Sequence, residues 1–411
     1  MRRRFPSVIS QVLFVLSIVS CGGDSPNPTG LDPLLTPTPF DLTALGRGTV
    51  NDRFTAELWV RGNTAYTTTW GSRSQGLGIL GLGNAIKIWD VSSANPTLVD
   101  SVIVSDATTL GDVQATDDGR YLIVATETVG SLLIYDIANP RKPVLLSRFQ
   151  NPDVINGVHT AEVQSVNGKL YAFLCIDPRG NDRARLVILD ISTPAAPVMV
   201  LSRIMGTPFV HDVFVRDGIL MTALWNDGIS IFDIGGGGKG GSVSDPVLIG
   251  NSAIVGGKAH NIFWYRDALT NNRKFAFVGE EGPGTIPSSS IGDVHVIDVS
   301  NMSAPHEVAF FTVAGAGVHN FSVDEDRGIL YAAYYNGGVR ALSIRGDLGS
   351  CSSSQKAPDG RCDLGKMNRE LAKGPVGMSP VYIWGVHFTN GNLYASDMLN
   401  GLWRLSTVPA F

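Results

Sequence analysis

The sequence has few charged residues and one long apolar run. Lys, Arg, Asp and Glu make up 17% of its 411 residues, and the formal net charge is −5. No cluster of Lys and Arg with interleaved aromatic residues is present, so we expect no nucleic-acid partner. The long apolar run, residues 8–19, is too short to span a bilayer stably. We therefore expect no membrane-spanning helix.

Sequence motifs of common enzymes are absent as well. There is no Gly-x-Ser-x-Gly nucleophile elbow, no zinc-protease helix, and no predicted helix long enough to carry one. In the Gly-rich stretch at residues 235–241, Lys239 precedes Gly240 rather than Ser or Thr, so the stretch does not match a phosphate-binding loop. These absences favour a protein without catalytic activity.

The N-terminal segment has the features of an export signal. Arg2–Arg4 precede the apolar run, and Ile18-Val19-Ser20-Cys21 resembles the bacterial lipobox, in which the cysteine is lipidated and becomes the first mature residue. We predict a lipoprotein signal peptide at residues 1–20, with an ordinary signal peptide as the alternative. Residues 21–39, which begin with Cys21, are rich in Gly, Pro, Ser and Thr and are predicted to form a tether. The expected product is an exported, membrane-anchored monomer, with the outer membrane or cell surface as the default location.

The remaining cysteines predict one disulfide. Cys351 and Cys362 flank a polar loop, whereas Cys175 lies in the apolar run Phe173-Leu174-Cys175-Ile176. Because export would place the chain in an oxidising compartment, we predict that Cys351 and Cys362 form a disulfide that closes this loop.

A repeated strand pattern is the strongest signal in the sequence. Short apolar runs end in aspartate and are followed by proline, usually seven residues later. Such runs suit strands buried on both faces, the aspartate can accept backbone hydrogen bonds in the next turn, and the proline can begin an outer strand. Five copies end at Asp90, Asp136, Asp190, Asp233 and Asp298, and two weaker copies end at Ser343 and Ser406.

A second pair of strands precedes each of these copies. Residues 56–70 align without a gap on residues 211–225, and both segments read as strand, tight turn and strand. Four strands in each of seven units predict an all-β fold: a single seven-bladed β-propeller of four-stranded antiparallel blades at residues 40–411. Insertions are predicted at residues 235–245 and 346–379.

The two ends of the propeller region predict how the ring closes. The last unit stops after its third strand, while residues 40–46 form an isolated strand that resembles the fourth strands of the other units. We therefore predict that this N-terminal strand completes the last blade and leaves no unpaired edge there.

The strand and aspartate turn, as in Leu186-Val187-Ile188-Leu189-Asp190-Ile191-Ser192, resembles the LVIVD repeat of exported bacterial β-propeller proteins and lipoproteins. The His-Asp-Val and His-Asn segments at His211, His260 and His319 are similar to this family as well. The resemblance covers residues 40–411. It implies a propeller and export, and no particular activity, because the family has no established common one.

Histidines recur at one position of the repeat. Four consecutive blades carry one at the start of the innermost strand, on the same face as the ends of the second strands. Imidazoles near carboxylates could hold a transition metal or act as acids and bases. Alternatively, they are structural residues copied with the repeat, or they line a site for an organic ligand or peptide. The candidate funnel residues are His159, His211, His260, His319, Trp225, Glu280 and Tyr335.

These patterns favour a lipid-anchored binding or scaffolding module whose ligand the sequence does not identify. The alternative is a metal-dependent enzyme or sensor that uses the histidine-lined funnel, with a transition metal as its cofactor. The expected partners are the membrane, through the lipid, and a protein or small molecule.

Overall fold

A computed structural model of the protein describes residues 40–72, 82–127, 129–375, 378 and 380–409. Within these residues, seven four-stranded antiparallel sheets form the blades of a β-propeller, which confirms the predicted fold. The predicted signal peptide, the lipidation site Cys21 and the tether lie outside the described residues. In the described part of the chain, no helix is long and apolar enough to cross a membrane.

The blades follow one another along the chain, and the first strand of each lies innermost. The first blade consists of β3 (Arg53–Arg61), β4 (Thr64–Ser72), β5 (Ala85–Asp90) and β6 (Thr97–Ile103). The second consists of β7 (Leu110–Ala115), β8 (Tyr121–Thr126), β9 (Ser131–Asp136) and β10 (Val144–Phe149). The third consists of β11 (Val158–Val166), β12 (Lys169–Ile176), β13 (Arg185–Asp190) and β14 (Val198–Ile204). The fourth and fifth consist of β15 (Asp212–Arg216), β16 (Ile219–Ala223), β17 (Ile229–Asp233) and β18 (Val247–Ser252); and β19 (Ala259–Trp264), β20 (Phe275–Glu280), β23 (Val294–Asp298) and β24 (His306–Phe311). The sixth and seventh consist of β25 (Phe321–Asp324), β26 (Ile329–Ala333), β27 (Val339–Ser343) and β29 (Glu370–Gly374); and β30 (Ile383–Thr389), β31 (Asn392–Asp397), β32 (Gly401–Leu405) and β2 (Ala44–Gly48).

Short elements complete the structure. The two-residue strands β1 (Phe40–Asp41) and β28 (Cys362–Asp363) add to the outer edges of the sixth and fifth blades. Strands β21 (Gly282–Pro283) and β22 (Ser290–Ile291) form a small hairpin, and Ser353–Gln355 form a turn of 3₁₀ helix.

The repeated aspartate of the sequence organises the turn after the third strand in five blades. In five blades the terminal aspartate accepts a hydrogen bond from the backbone N–H two residues later, at 2.7–3.0 Å. This bond organises the turn locally, as the sequence predicts, and the proline of each copy stands immediately before the fourth strand. The five acceptors are Asp90, Asp136, Asp190, Asp233 and Asp298.

The N-terminal strand closes the ring, as predicted. Strand β2 pairs antiparallel with β32, so the seventh blade takes its outermost strand from the other end of the propeller region. Thr43 and Ser406 fix this junction, because the N–H of each donates to an oxygen of the other at 2.8 Å. Strand β1 pairs in parallel with β29, so the same segment also covers the sixth blade.

The insertion predicted at residues 346–379 has two parts. Cys351 and Cys362 form the predicted disulfide, and β28 beside it pairs in parallel with β24 along the outer edge of the fifth blade. The later part is not an insertion, because Glu370–Gly374 form β29, the fourth strand of the sixth blade.

The Gly-rich stretch of the fourth blade wraps around one carboxylate. The Oδ1 atom of Asp233 accepts N–H bonds from Gly235 and Gly237, and its Oδ2 atom accepts them from Lys239 and Gly241, at 2.6–3.2 Å. Burial opposes the charge of Asp233, but these four donors outweigh it and hold its pKa well below the ordinary value. The loop is therefore organised by hydrogen bonds to this one side chain.

The core consists of apolar layers between neighbouring blades. Third-strand residues such as Ile134, Val187 and Ile231 are fully buried, and each packs into a cluster shared with an adjacent blade. Burying a side chain of this size contributes about 1.5–3 kcal/mol. These layers fix the blades around the axis and thereby position the innermost strands.

Candidate functional site in the central channel

The innermost strands of the seven blades surround a central channel of about 430 Å³. Its lining extends from residues at the start of these strands, such as His159 and Trp384, to residues several positions later, such as Gln164 and Phe388. A ligand in the channel could therefore contact side chains from several blades at once.

The four predicted histidines come together at one end of the channel. Their rings form an arc, with centroid distances of 4.4 Å from His159 to His211, 4.1 Å from His211 to His260, and 4.1 Å from His260 to His319. Trp384 continues the arc, 4.3 Å from His319. Residues on neighbouring blades thus share one volume because the same strand position repeats around the axis.

One carboxylate faces three of these imidazoles. The Oε2 atom of Glu281 lies 3.8 Å from Nε2 of His211 and 3.7 Å from Nε2 of His260, and its Oε1 atom lies 4.0 Å from Nε2 of His319. The hydroxyl of Tyr335 donates a 2.6 Å hydrogen bond to Oε1 of Glu281. Together, His211, His260 and Glu281 form a buried group whose possible ligand atoms lie within 4.8 Å of one another.

A second group surrounds the first histidine of the arc. The Nδ1 atom of His159 lies 3.3 Å from Oε1 of Glu127 and 3.9 Å from Oδ2 of Asp177. These three side chains are partly exposed. They form a carboxylate–imidazole cluster next to the buried group, in contact with it through His211.

The other predicted funnel residues divide into two sets. Trp225 stacks on His211 with ring centroids 5.3 Å apart, and Tyr335 contacts the ring of His319 at 5.1 Å. Glu280 lies apart from the arc, because its carboxylate faces Nε2 of His295 at 3.5 Å. The prediction for Glu280 is wrong, because Glu281, the next residue along the chain, takes the place beside the histidines.

Two of the aromatic residues in contact with the arc have unusual backbone conformations. Trp225 has φ of 53° and Tyr335 has φ of 36°, values in the left-handed region that bulky residues seldom adopt. Each is the second residue after the end of the second strand of its blade, so the two occupy equivalent positions of the repeat. Strain of this kind is concentrated at functional sites, and here it orients rings against His211 and His319.

The histidines of the arc differ in their protonation. Burial lowers the pKa of His211 and of His260 well below the ordinary value, and burial lowers the pKa of His319 to about 3. Burial also opposes charge on His159, but the carboxylates of Glu127 and Asp177 outweigh it and raise its pKa to about 10. At neutral pH, three neutral imidazoles therefore lie beside one imidazolium.

A set of acidic residues in the channel was missed by the sequence analysis. Glu57, Asp112 and Asp212 each directly follow the position at which the histidines recur, so the same alignment would have found them one residue later. Glu57 accepts 2.7 Å hydrogen bonds from Nε1 of Trp384 and Nδ2 of Asn320. These carboxylates form a layer of the channel next to the histidine arc.

Two of these carboxylates join adjacent blades. Asp112 accepts the N–H of Ala161, and Asp212 accepts the N–H of Ile262, both at 3.3 Å from an innermost strand of the next blade. Burial raises the pKa of Asp112 to about 6 and that of Asp212 to about 7. Both residues therefore have a structural role as well as a place in the channel.

Fold and site together define the class of this protein: a seven-bladed β-propeller with a histidine-lined central channel. The family model of the LVIVD repeat matches residues 118–151, 174–203 and 290–313, which lie in the second, third and fifth blades. The protein therefore carries LVIVD repeats, as the sequence resemblance implies. The comparison with curated proteins yields no match. A disulfide within an LVIVD-repeat propeller is consistent with an extracytoplasmic protein.

Proposed function

We propose that the protein is an exported, lipid-anchored binding propeller whose central channel takes a small organic cation. The proposal rests on the composition of the channel lining. Six carboxylate side chains line the channel, and among the described residues that line it there is no lysine or arginine, while the imidazolium of His159 lies beside Glu127 and Asp177. The six are Glu57, Asp112, Asp117, Glu127, Glu162 and Asp212.

Aromatic rings line the same channel: Trp59, Trp70, Phe214, Phe263 and Phe388. The guanidinium of Arg216 lies over Phe214 and Phe263, 5.1 Å and 5.5 Å from the ring centroids, and that of Arg327 lies over Phe388 at 5.4 Å. Trp59 and Trp70 are therefore the rings best placed for a ligand cation. Ring faces attract ammonium and guanidinium groups, and carboxylates supply the opposite charge, so the two together favour an organic cation over a neutral or anionic ligand. A volume of about 430 Å³ suits a small ligand of this kind.

Glu162 is the carboxylate best placed to contact such a ligand. Unlike Glu57, Asp112 and Asp212, its carboxylate has no hydrogen-bond or ion-pair partner among the described residues. Burial, followed by the nearby Asp212 and Asp112, raises its pKa well above the ordinary value. A bound cation would lower that pKa, so we expect cation binding to release protons.

Choline and its neutral isostere 3,3-dimethylbutanol test the proposal, with spermidine and arginine amide as further cations. Tryptophan fluorescence of the full chain reports binding, because Trp59 and Trp384 line the channel. We expect at least one cation to bind, 3,3-dimethylbutanol to bind at least tenfold more weakly than choline, and Glu162→Gln to weaken cation binding.

The matched control is Glu370→Gln, because Glu370 lies on the outermost strand of the sixth blade, paired with Arg340 and away from the channel. Cation binding by this variant should equal that of the unchanged protein. Failure of every cation to bind, or equal binding of choline and 3,3-dimethylbutanol, would contradict the proposal.

A further inference from the structure

We propose that His211, His260 and Glu281 bind a divalent transition metal ion of the zinc type, with His319 as the fourth ligand. His211, His260 and His319 line one end of the channel, whereas Glu281 does not. The two proposals are tested by different residues, because Glu162, on which organic-cation binding depends, is not a ligand of the metal.

The first argument is the convergence of the donor atoms. The Nε2 atoms of His211 and His260 lie 3.8 Å and 3.7 Å from the same oxygen of Glu281. These distances are too long for hydrogen bonds, so the three groups face one another without bonding. Across a tetrahedral zinc ion with bonds of roughly 2.0–2.1 Å, donor atoms lie about 3.3 Å apart. Small side-chain rotations would bring the three donors to that separation.

The second argument is independent of those distances. The Nδ1 atoms of His211, His260 and His319 are buried and lack hydrogen-bond partners among the described residues. Three imidazoles are thus packed against one another with hydrogen-bonding capacity left unused on each ring, an arrangement that costs free energy. The Nε2 atoms, which face Glu281, also have no hydrogen-bond partner among the described residues and are therefore available as ligands, with the ring proton on Nδ1.

The donor set indicates the kind of ion. Imidazole nitrogens suit zinc and its neighbours in the first transition series, whereas calcium and magnesium prefer sites made of oxygen atoms. Because metal ligands bind in their deprotonated forms, three neutral imidazoles and one carboxylate around a divalent ion would give the loaded site a net charge of +1. The hydroxyl of Tyr335, 2.6 Å from Oε1 of Glu281, holds the carboxylate in place without being a ligand itself.

The experiment is a calorimetric titration of the EDTA-treated full chain with Zn²⁺ alone. We expect one ion per chain, and we expect the double variant His211→Asn, His260→Asn to lose this binding. Substitution with Co²⁺ adds a spectroscopic test, since nitrogen ligation in a four-coordinate site gives strong visible absorption. Circular dichroism of each variant verifies its fold, and Glu281→Gln replaces the double variant if that one does not fold.

Two further variants separate a metal site from a merely structural cluster. Tyr335→Phe should weaken Zn²⁺ binding about 10- to 100-fold, because it removes the group that orients a ligand. His306→Asn is the matched control, since His306 is an exposed histidine at the start of β24, on the outer side of the fifth blade. It should leave binding unchanged.

The proposal is overturned if the unchanged protein binds no Zn²⁺ in a one-to-one ratio. It is also overturned if His159→Asn abolishes binding while the double variant retains it, because the ion would then occupy the group of Glu127, His159 and Asp177. Neither result would bear on choline or spermidine binding, which depends on Glu162.

Discussion

Leu42 gives the most direct test of how the propeller closes. It lies between β1, which pairs with the sixth blade, and β2, which completes the seventh, and its N–H donates to the carbonyl of Lys373 at 2.7 Å. Its side chain is 1% exposed and packs in the apolar cluster that contains Trp403 and Val408. Leu42→Ala would therefore leave a cavity between the two blades that the N-terminal segment joins.

The expected loss is about 2–5 kcal/mol in the free energy of unfolding, the usual range for truncating a buried leucine. Leu45→Ala is the matched control, because Leu45 lies in β2 itself but is 49% exposed. We expect the control to change the free energy of unfolding by less than about 0.5 kcal/mol. Both variants keep the backbone pairing of β2 with β32, so their difference isolates the buried side chain.

Urea-induced unfolding followed by tryptophan fluorescence measures both variants. A shift of the midpoint to lower urea without a change of slope would report lost stability rather than a changed unfolded state. Equal midpoints for Leu42→Ala and Leu45→Ala would refute the reasoning, since the N-terminal segment would then contribute no buried contact to closure.

Three other predictions concern the anchor, the disulfide and the pH dependence. Cys21→Ala should move the protein from the membrane fraction to the soluble or unprocessed fraction, and unchanged partitioning would contradict lipidation. Replacing Cys351 and Cys362 by serine should lower the free energy of unfolding by about 3 kcal/mol, because the unfolded chain regains the entropy that a cross-link between residues 11 positions apart removes. An unchanged urea midpoint would contradict this prediction. Burial opposes charge on His295, but Glu280 and Glu307 outweigh it and raise its pKa to about 9, above the ordinary 6.5. The protonated imidazole should stabilise the fold fully below about pH 6.5, and this contribution should be lost as the pH rises through about 9. His295→Gln should therefore make the free energy of unfolding less dependent on pH in this range. The same pH dependence in the variant and the unchanged protein would contradict the assignment.

Much of the fold could be predicted because the sequence features that define a blade, an apolar strand with a terminal aspartate and a following proline, act over a few residues. The aspartate at the end of a third strand organises the next turn within two residues, so Asp136 and Asp190 mark the turn between the third and fourth strands of a blade without any knowledge of the rest of the chain. The strand that joins the ends was predictable for a similar reason, since the last unit lacked one strand and an unpaired strand stood at the start. Strand β29 was missed because 26 residues separate it from β27 and its pattern is weak.

The histidine arc could be predicted, but the carboxylate opposite it could not be chosen correctly. The position of a residue in the repeat determines its height along the propeller axis. His211, His260 and His319 occupy the same repeat position and therefore lie at the same end of the channel. Which of Glu280 and Glu281 faces them depends on local backbone geometry at the end of β20. The pairing of β19 with β20 shifts register between Ala259 and Asn261, and such a bulge changes the direction of neighbouring side chains. The position at the end of the second strand therefore does not decide which of the two glutamates faces the histidines.

The side chains that join adjacent blades also set the bore of the channel. The carboxylates of Asp112 and Asp212, each one methylene group from its backbone, accept N–H hydrogen bonds from the next blade. The side-chain amide of Gln114 accepts a hydrogen bond from the N–H of Val163 and donates one to its carbonyl. The spacing between those blades is thereby tied to side-chain length, and not only to the bulk of the apolar layers behind them. Exchange of aspartate for glutamate at Asp112 or Asp212 would lengthen the link between two blades by one methylene group. Such an exchange would change the width of the channel while the packing within each blade stayed the same.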